Sequence, residues 1–156
     1  MWKKIKPYAI SIAISLGTGA LAAFFTRGNM NVYSSINKPP LAPPGVLFPI
    51  VWTVLYVLMG ISSAIVYGER EVKKIGTALD LYRIQLAVNF LWSIIFFNVR
   101  AFFFAFLWLV LLWVLVYMMI KEFEKISSLA AKLQIPYLLW ITFAMYLNYM
   151  VYFLNR

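Results

Sequence analysis

Five long stretches with few or no charged residues constrain the fold of this chain more than any other feature. The most apolar of them runs from Ala101 to Ile120 and contains no strongly polar side chain. A helix needs about 20 consecutive apolar residues to cross the hydrocarbon core of a bilayer. The pattern predicts such helices at about residues 7–26, 46–67, 79–98, 101–120 and 133–155. We therefore expect an all-α integral membrane protein, a five-transmembrane-helix bundle that forms a single domain over residues 1–156.

The composition agrees with a membrane location. Hydrophobic residues make up 64% of the chain and charged residues only 12%, whereas about a quarter of the residues of a soluble domain are charged. The net charge of +9 is therefore assigned to loops, where it sets the orientation and contacts anionic lipid. We expect the lipid bilayer as a partner and no binding of nucleic acid.

The positions of Lys and Arg predict how the bundle is oriented, because these residues accumulate on the inner side of a membrane. With the N-terminus inside, ten of them fall on the inner side: Lys3, Lys4, Lys6, Arg70, Lys73, Lys74, Arg83, Lys121, Lys125 and Lys132. Four fall on the outer side: Arg27, Lys38, Arg100 and Arg156. This bias predicts an N-terminus inside, a C-terminus outside, and an outer location for the loop at residues 27–45.

The loop at residues 27–45 is the one irregular segment long enough to cover a binding site. It contains the sequence Lys38-Pro39-Pro40-Leu41-Ala42-Pro43-Pro44, and proline fixes the backbone before any ligand arrives. Such a loop covers a flat ligand with little loss of conformational entropy. We expect this long first extramembrane loop to act as a lid. The helix that precedes it is interpreted as a plain membrane anchor.

The composition excludes several classes of catalytic and metal site. The chain has no Cys and no His, which are common ligands of zinc and haem iron and essential parts of Ser-His and Cys-His sites. All five acidic residues lie in or beside loops: Glu69, Glu71, Asp80, Glu122 and Glu124. We therefore expect no metal site and no carboxylate pair for acid–base chemistry within the membrane. Aromatic rings, amides, hydroxyls and backbone groups remain as the functional groups.

Three predicted helices each carry a stripe of aromatic and polar residues at helical spacing. The stripes are Trp52 and Tyr56 on the second helix, Asn89, Trp92, Ser93 and Phe96 on the third, and Trp140, Ala144, Asn148 and Tyr152 on the fifth. Polar groups within a membrane usually face the interior of a bundle. The three stripes are therefore expected to converge on one cavity that opens toward the lid.

The same residues also allow a structural interpretation. Asn89 and Asn148 are suited to hydrogen bonds between helices, and spacing alone leaves this alternative open. Trp108 and Trp113 are expected to face lipid or to pack against other helices. Small residues recur every four positions on two helices, and packing within one chain is favoured over a dimer interface for both sets: Ser15, Gly19 and Ala23; Gly60, Ala64 and Gly68.

Motifs in a fixed order resemble those of the tryptophan-rich sensory protein and translocator protein family, TspO, whose animal members were first known as peripheral benzodiazepine receptors. They span about residues 33–154: Lys38-Pro39 with Pro43-Pro44; Trp52, Leu55-Tyr56 and Met59-Gly60; Tyr82, Gln85-Leu86-Ala87, Asn89 and Trp92; Phe96-Phe97 and Arg100; Pro136-Tyr137, Trp140, Phe143-Ala144 and Leu147-Asn148-Tyr149. Leu41 departs from the pattern, because the family often has Trp at this position of the lid.

The resemblance implies a bacterial-type five-helix bundle in the cell membrane, usually a homodimer. It implies binding of tetrapyrroles such as protoporphyrin IX and of drug-like isoquinoline carboxamides and benzodiazepines, with no cofactor required. The lack of His and Cys favours metal-free porphyrin over haem. The resemblance and the stripes together give ten expected ligand-binding residues: Tyr33, Pro43, Phe48, Trp52, Asn89, Phe90, Trp92, Trp140, Ala144 and Asn148.

Several functions are compatible with the resemblance. Some bacterial members degrade protoporphyrin IX in light and oxygen, which implies that Trp52 and Trp140 stack on the macrocycle and act as catalytic electron donors. The alternatives are a transporter of porphyrin, lipid or sterol, and a purely structural bundle. Transporters often show inverted repeats and intramembrane charges, and this sequence has neither. A sterol-recognition pattern is matched only loosely, at Leu147, Tyr152 and Arg156.

Overall fold

A computed structural model describes all 156 residues, and every regular element in it is helical. The seven α-helices are α1 Trp2–Thr26, α2 Val32–Ser35, α3 Leu47–Gly68, α4 Gly76–Ser93, α5 Phe102–Glu124, α6 Ser128–Leu133 and α7 Ile135–Asn155. A 3-10 turn, Arg27–Asn29, follows α1, and a π-helical turn, Ile94–Val99, continues α4.

Five of the helices, α1, α3, α4, α5 and α7, are long and apolar enough to cross a bilayer. Backbone N–H and C=O groups find no water in hydrocarbon, so a spanning segment bonds them within its own helix. Pro49 and Pro136 lie in the first turns of α3 and α7, where a backbone N–H has no partner in the helix anyway. The predicted all-α bundle with five transmembrane helices is confirmed.

The helix ends differ from the boundaries that the sequence predicts. The third span begins at Gly76 rather than 79 and continues through the π-helical turn to Arg100, which ends it in a left-handed conformation with a φ of 58°. Gln134 separates α6 from α7 within the region predicted to start the fifth span. The Ser127 hydroxyl caps α6 by accepting a hydrogen bond from Ala130 N at 3.2 Å. Charge-free runs mark the thickness of hydrocarbon, whereas helix ends depend on local caps.

Helices α1 and α3 pack closely against each other. A Cβ atom placed on Gly60 would lie 2.5 Å from Ile12 Cα, and Ser15 Oγ donates a hydrogen bond to Tyr56 O at 2.6 Å. Gly19 leaves room for the ring of Tyr56 in the same way. The small residues therefore pack two helices of one chain, which is the arrangement that the sequence favours over a dimer interface. Further round the bundle, α1 also contacts α4, α4 contacts α5, and α5 contacts α7.

The two ends of the bundle are packed differently. We call the end that holds the α3–α4 connection and residues 122–133 the closed end. There α6 packs against α3 and α5, Ser62 Oγ donates to Ala130 O at 2.7 Å, and Phe123 is completely buried. We call the opposite end, where residues 27–45 cross the helices, the lid end. A large cavity remains at the lid end.

Candidate ligand-binding site

A cavity of about 1060 Å³ lies beneath the lid. Side chains of α1, α3, α4 and α7 form its walls together with the lid and the π-helical turn, whereas α5 contributes none. Pockets for drug-sized ligands usually measure about 300–1,000 Å³, so this cavity has the volume for a large ligand. Where the cavity reaches the surface, we call its exposed lid residues Lys38, Pro44 and Gly45 the rim; further exposed lining residues, such as Ala23 and Thr53, belong to α1 and α3.

Eight of the ten ligand-binding residues expected from the sequence lie together around this cavity: Tyr33, Pro43, Phe48, Trp52, Asn89, Trp92, Ala144 and Asn148. They come from four segments that are distant in the chain and that only the fold brings together. Trp52 stacks on Tyr56 with ring centroids 5.6 Å apart, and Trp92 stacks at an angle on Phe96 at 5.3 Å. The walls therefore present broad aromatic faces to whatever occupies the cavity.

Phe90 and Trp140 do not line the cavity. Phe90 meets the ring of Phe25 on α1 edge-on, with centroids 5.9 Å apart, because the residue after Asn89 in a helix points about 100° away from it. Trp140 lies behind Phe48, with ring centroids 5.8 Å apart, and lines a separate groove between α3 and α7. Each step of four residues turns a side chain by about 40°, so the stripe on α7 does not keep to one face.

A chain of hydrogen bonds between three helices forms the floor of the cavity. Tyr56 OH donates to Asn89 Oδ1 at 2.9 Å, and Asn89 Nδ2 donates to the hydroxyl of Tyr137 at 2.7 Å. Tyr137 OH in turn donates to Gln85 Oε1 at 2.6 Å. All four side chains are buried, and a buried polar group without a partner costs about 1–3 kcal/mol. Asn89 therefore connects α4 to α3 and α7.

Asn148 forms a second polar link between helices, in the wall of the cavity. Its Oδ1 accepts a hydrogen bond from Trp92 Nε1 at 3.0 Å, and its Nδ2 donates to Phe102 O at 2.8 Å. The side-chain oxygen and nitrogen of Asn89 and of Asn148 thus all have partners within the protein. The interhelical role that the sequence left open is realised for both residues, and a ligand meets them as parts of a wall.

The two tryptophans of α5 lie outside the cavity. Trp108 Nε1 donates to Val88 O at 2.8 Å, which joins α5 to α4. Trp113 Nε1 donates to Thr142 Oγ1 at 2.9 Å, which joins α5 to α7. Both therefore pack between helices, one of the two roles expected for them from the sequence.

The lid is attached to the C-terminal half of α7. Tyr146 OH donates a hydrogen bond to Pro40 O at 2.6 Å. Asn155 binds the backbone of Asn37 twice: its Oδ1 accepts from Asn37 N and its Nδ2 donates to Asn37 O, both at 2.9 Å. These bonds hold the proline-rich segment across the top of the cavity.

Within the lid, Tyr33 and Leu41 have contrasting environments. Tyr33 lines the cavity and donates its hydroxyl hydrogen to Pro43 O. Burial raises the pKa of Tyr33, so the hydroxyl keeps the proton that it donates. Leu41 is 81% exposed and has a φ of 71°, a left-handed conformation that costs a non-glycine residue about 1–2 kcal/mol. The position that departs from the TspO pattern therefore lies on the outer surface of the lid.

The first helix contributes more than the sequence predicted. Its interpretation as a plain anchor is wrong, because Leu16, Gly19, Ala20 and Ala23 form one wall of the cavity. The small residues of α1 were the feature of the sequence that pointed to this role. Small residues favour close helix packing, however, and the sequence does not distinguish a packed face from one that borders open space.

Three polar groups in the lining have no hydrogen-bond partner in the protein, and each has a hydrogen to donate: Lys38 Nζ, Trp52 Nε1 and Ser93 Oγ. No cluster of three His, Cys, Asp or Glu side chains lies close enough together to hold a metal ion. The site therefore offers aromatic faces, apolar surface and hydrogen-bond donors.

The chain is similar to several known proteins. Residues 10–154 match the model of the TspO/MBR family. The chain belongs to the TspO/MBR family. Its relatives include the tryptophan-rich protein TspO of Chlorobaculum tepidum, which is 35% identical over 99% of this chain and 99% of the relative. Protein CrtK of Rhodobacter capsulatus is 38% identical over 95% of this chain and 92% of its own. The translocator protein of Bos taurus is 37% identical over 86% of this chain and 81% of its own.

Membership in the TspO/MBR family and the five apolar helices identify an integral, multi-pass membrane protein. The family is of the membrane receptor and transporter type. The family model and the cavity also cover largely the same part of the chain, since the lining runs from Leu16 to Val151.

Proposed function

We propose that this protein is a membrane receptor for tetrapyrroles, with protoporphyrin IX as ligand or substrate and no further cofactor. Drug-like isoquinoline carboxamides and benzodiazepines are proposed to bind in the same cavity. The observation that carries the proposal is the size and chemistry of the cavity, about 1060 Å³ between aromatic walls. A flat, apolar macrocycle has the shape that stacks against such walls.

The proposed chemistry is a light- and oxygen-dependent degradation of the bound porphyrin. The excited macrocycle takes an electron from an electron-rich indole at short range and passes it to molecular oxygen, which becomes superoxide. The indole radical cation then regains an electron from the macrocycle, and the oxidised macrocycle combines with the superoxide. Trp52 is the first candidate for this donor, because it lines the cavity. Trp140 is the second candidate, and Phe48 lies between it and the cavity. We therefore assign the larger role to Trp52.

The proposal is tested by tryptophan fluorescence quenching with protoporphyrin IX in detergent, first in the dark and then in light. We expect quenching at micromolar ligand in the dark and a change of the porphyrin absorption spectrum in light. Trp52→Phe should slow the spectral change severalfold while dark binding persists, and Trp140→Phe should slow it less. A Trp52→Phe variant that reacts as fast as the parent would exclude the tryptophan mechanism. No dark quenching by protoporphyrin IX or an isoquinoline ligand would support a structural role instead.

Transport of porphyrin, lipid or sterol is the alternative function. The buried chain of hydrogen bonds through Tyr56, Asn89 and Tyr137 lies across the path from the cavity to the closed end, which argues against passage along the bundle axis. Liposomes that contain the purified protein provide the test. Movement of labelled porphyrin or lipid that depends on the protein would favour transport over reception.

A further inference from the structure

The rim of the cavity carries a single charged side chain. Lys38 is the only charged residue in the lining, and it is exposed. Its Nζ lies 5.0 Å from the centroid of the Tyr33 ring. This cation–π contact keeps the ammonium group at the rim of the cavity. The two ion pairs of the chain are Asp80 with Arg83 and Glu122 with Lys125. The ammonium group of Lys38 is thus available to a ligand.

Acidic side chains are concentrated at the other end of the molecule. All five follow α3, begin α4 or end α5, which places them at the closed end: Glu69, Glu71, Asp80, Glu122 and Glu124. The charged side chains at the lid end are therefore all basic: Arg27, Lys38, Arg100 and Arg156. A surface of one charge sign attracts ligands of the opposite sign.

The interior of the cavity offers no charged partner to a carboxylate. The other two side-chain groups without partners, Trp52 Nε1 and Ser93 Oγ, have hydrogens to donate. The amides of Asn89 and Asn148 are already bonded within the protein. A carboxylate that enters an apolar cavity loses its hydration and needs a charged or donating partner in compensation. Lys38 at the rim supplies that partner without the cost of burying the ammonium group.

We propose that the cavity selects flat, apolar ligands that carry a carboxylate, and that Lys38 binds this carboxylate at the rim. The proposal rests on the proposed function, since it assumes that this cavity is the ligand site. The ring system lies against Trp52 and Phe48, and the carboxylate points outward to Lys38. Tyr33 connects the two parts of the site, because its ring meets Phe48 edge-on at 4.9 Å and also contacts Lys38.

The test compares protoporphyrin IX, which has two carboxylates, with its dimethyl ester, which has none. Tryptophan quenching in the dark gives the dissociation constant of each for the parent, Lys38→Met and Lys38→Arg. Arg27→Met is the matched control, because it removes one positive charge from the lid end at a residue that does not line the cavity. The ester is the decisive control, because a variant that merely deforms the lid would weaken the binding of both ligands equally.

We expect the parent to bind the acid more tightly than the ester. Lys38→Met should raise the dissociation constant of the acid by roughly five- to tenfold, as for the loss of a partly exposed charge pair with hydrogen bonds. The dissociation constant of the ester should not change. Lys38→Arg should restore the preference, and Arg27→Met should keep it. Equal affinity of the parent for acid and ester, equal weakening of both by Lys38→Met, or the same selective loss in Arg27→Met would overturn the proposal.

A second pair of probes separates this proposal from the tetrapyrrole function. Pyrenebutyrate and its methyl ester are flat, apolar and fluorescent, and they differ in one carboxylate, but neither is a tetrapyrrole. If neither porphyrin binds the parent, the tetrapyrrole function fails. A preference for pyrenebutyrate that Lys38→Met abolishes would then still support carboxylate selection by Lys38. The absence of that preference would overturn it.

Discussion

The closed end and the lid end of the bundle are built from the same kinds of residue but hold them differently. At the closed end, large side chains such as Met119 and Phe123 are fully buried against neighbouring helices. At the lid end, Phe48 and Trp52 are only partly buried and border a cavity of about 1060 Å³. Aromatic and apolar composition therefore does not determine where the helices of a membrane bundle pack closely and where they enclose a cavity.

The difference between the two ends depends on what fills the space between helices. Lipid tails are as apolar as leucine, so transmembrane helices associate through close contact and hydrogen bonds rather than through exclusion of water. At the closed end, the short helix α6 supplies these contacts to α3 and α5. At the lid end the corresponding space is covered by a loop, and the helices around it are joined by two polar links, one through Tyr56, Asn89 and Tyr137 and one through Trp92 and Asn148.

The largest expected difference in stability between the two ends comes from truncating one phenylalanine at each of them. Phe123→Ala should lower the free energy of unfolding by roughly 3 kcal/mol, because it opens a void in a fully packed site. Phe48→Ala should cost less than about 1 kcal/mol, because its side chain already borders open space. We expect the opposite order for dark binding of protoporphyrin IX, which Phe48→Ala should weaken roughly threefold or more through loss of an aromatic contact.

Titration of the detergent-solubilised protein with SDS measures the unfolding free energies, and fluorescence quenching measures the binding. The comparison between the two ends would fail if both variants lost the same stability, or if Phe123→Ala weakened binding as much as Phe48→Ala.

An intermediate effect is expected where the backbones of α1 and α3 meet. Gly60→Ala should destabilise the fold by roughly 2 kcal/mol, because its Cβ would lie 2.5 Å from Ile12 Cα and the helices would have to separate. Gly17→Ala is the matched control on α1, since nothing lies within 4 Å of its added Cβ. That substitution should stabilise the helix by up to about 1 kcal/mol. Equal unfolding free energies for the two variants, measured by SDS titration, would disprove this close approach.

The smallest effect is expected from removing one hydroxyl at each end. Ser62→Ala at the closed end removes the hydrogen bond from α3 to Ala130 O of α6 and should cost about 1 kcal/mol or less. Thr53→Ala at the lid end removes only a bond to Pro49 O of its own helix and should leave stability within about 0.5 kcal/mol of the parent. Unfolding midpoints of the two variants provide the measurement. A larger loss in Thr53→Ala would mean that the lid end is the better packed one.

Parts of the site were predictable from local spacing. Trp52 and Tyr56 share a face because a step of four residues exceeds one helical turn by only about 40°, and the structure stacks their rings. The same rule fails over the longer stripe from Trp140 to Asn148, because the deviation of about 40° per step accumulates. Trp140 is consequently turned behind Phe48 and away from the cavity.

The sequence by itself determined the five transmembrane helices, because a bilayer requires long apolar segments whose backbone groups bond internally. It also determined the proline-rich connection at residues 27–45 and the family. Only the tertiary structure decided that α1 is a wall of the cavity, that Asn89 and Asn148 use their amides between helices, and that Lys38 stands alone at the rim. These features depend on the rotation and spacing of helices that are distant in the chain, and helical periodicity specifies neither.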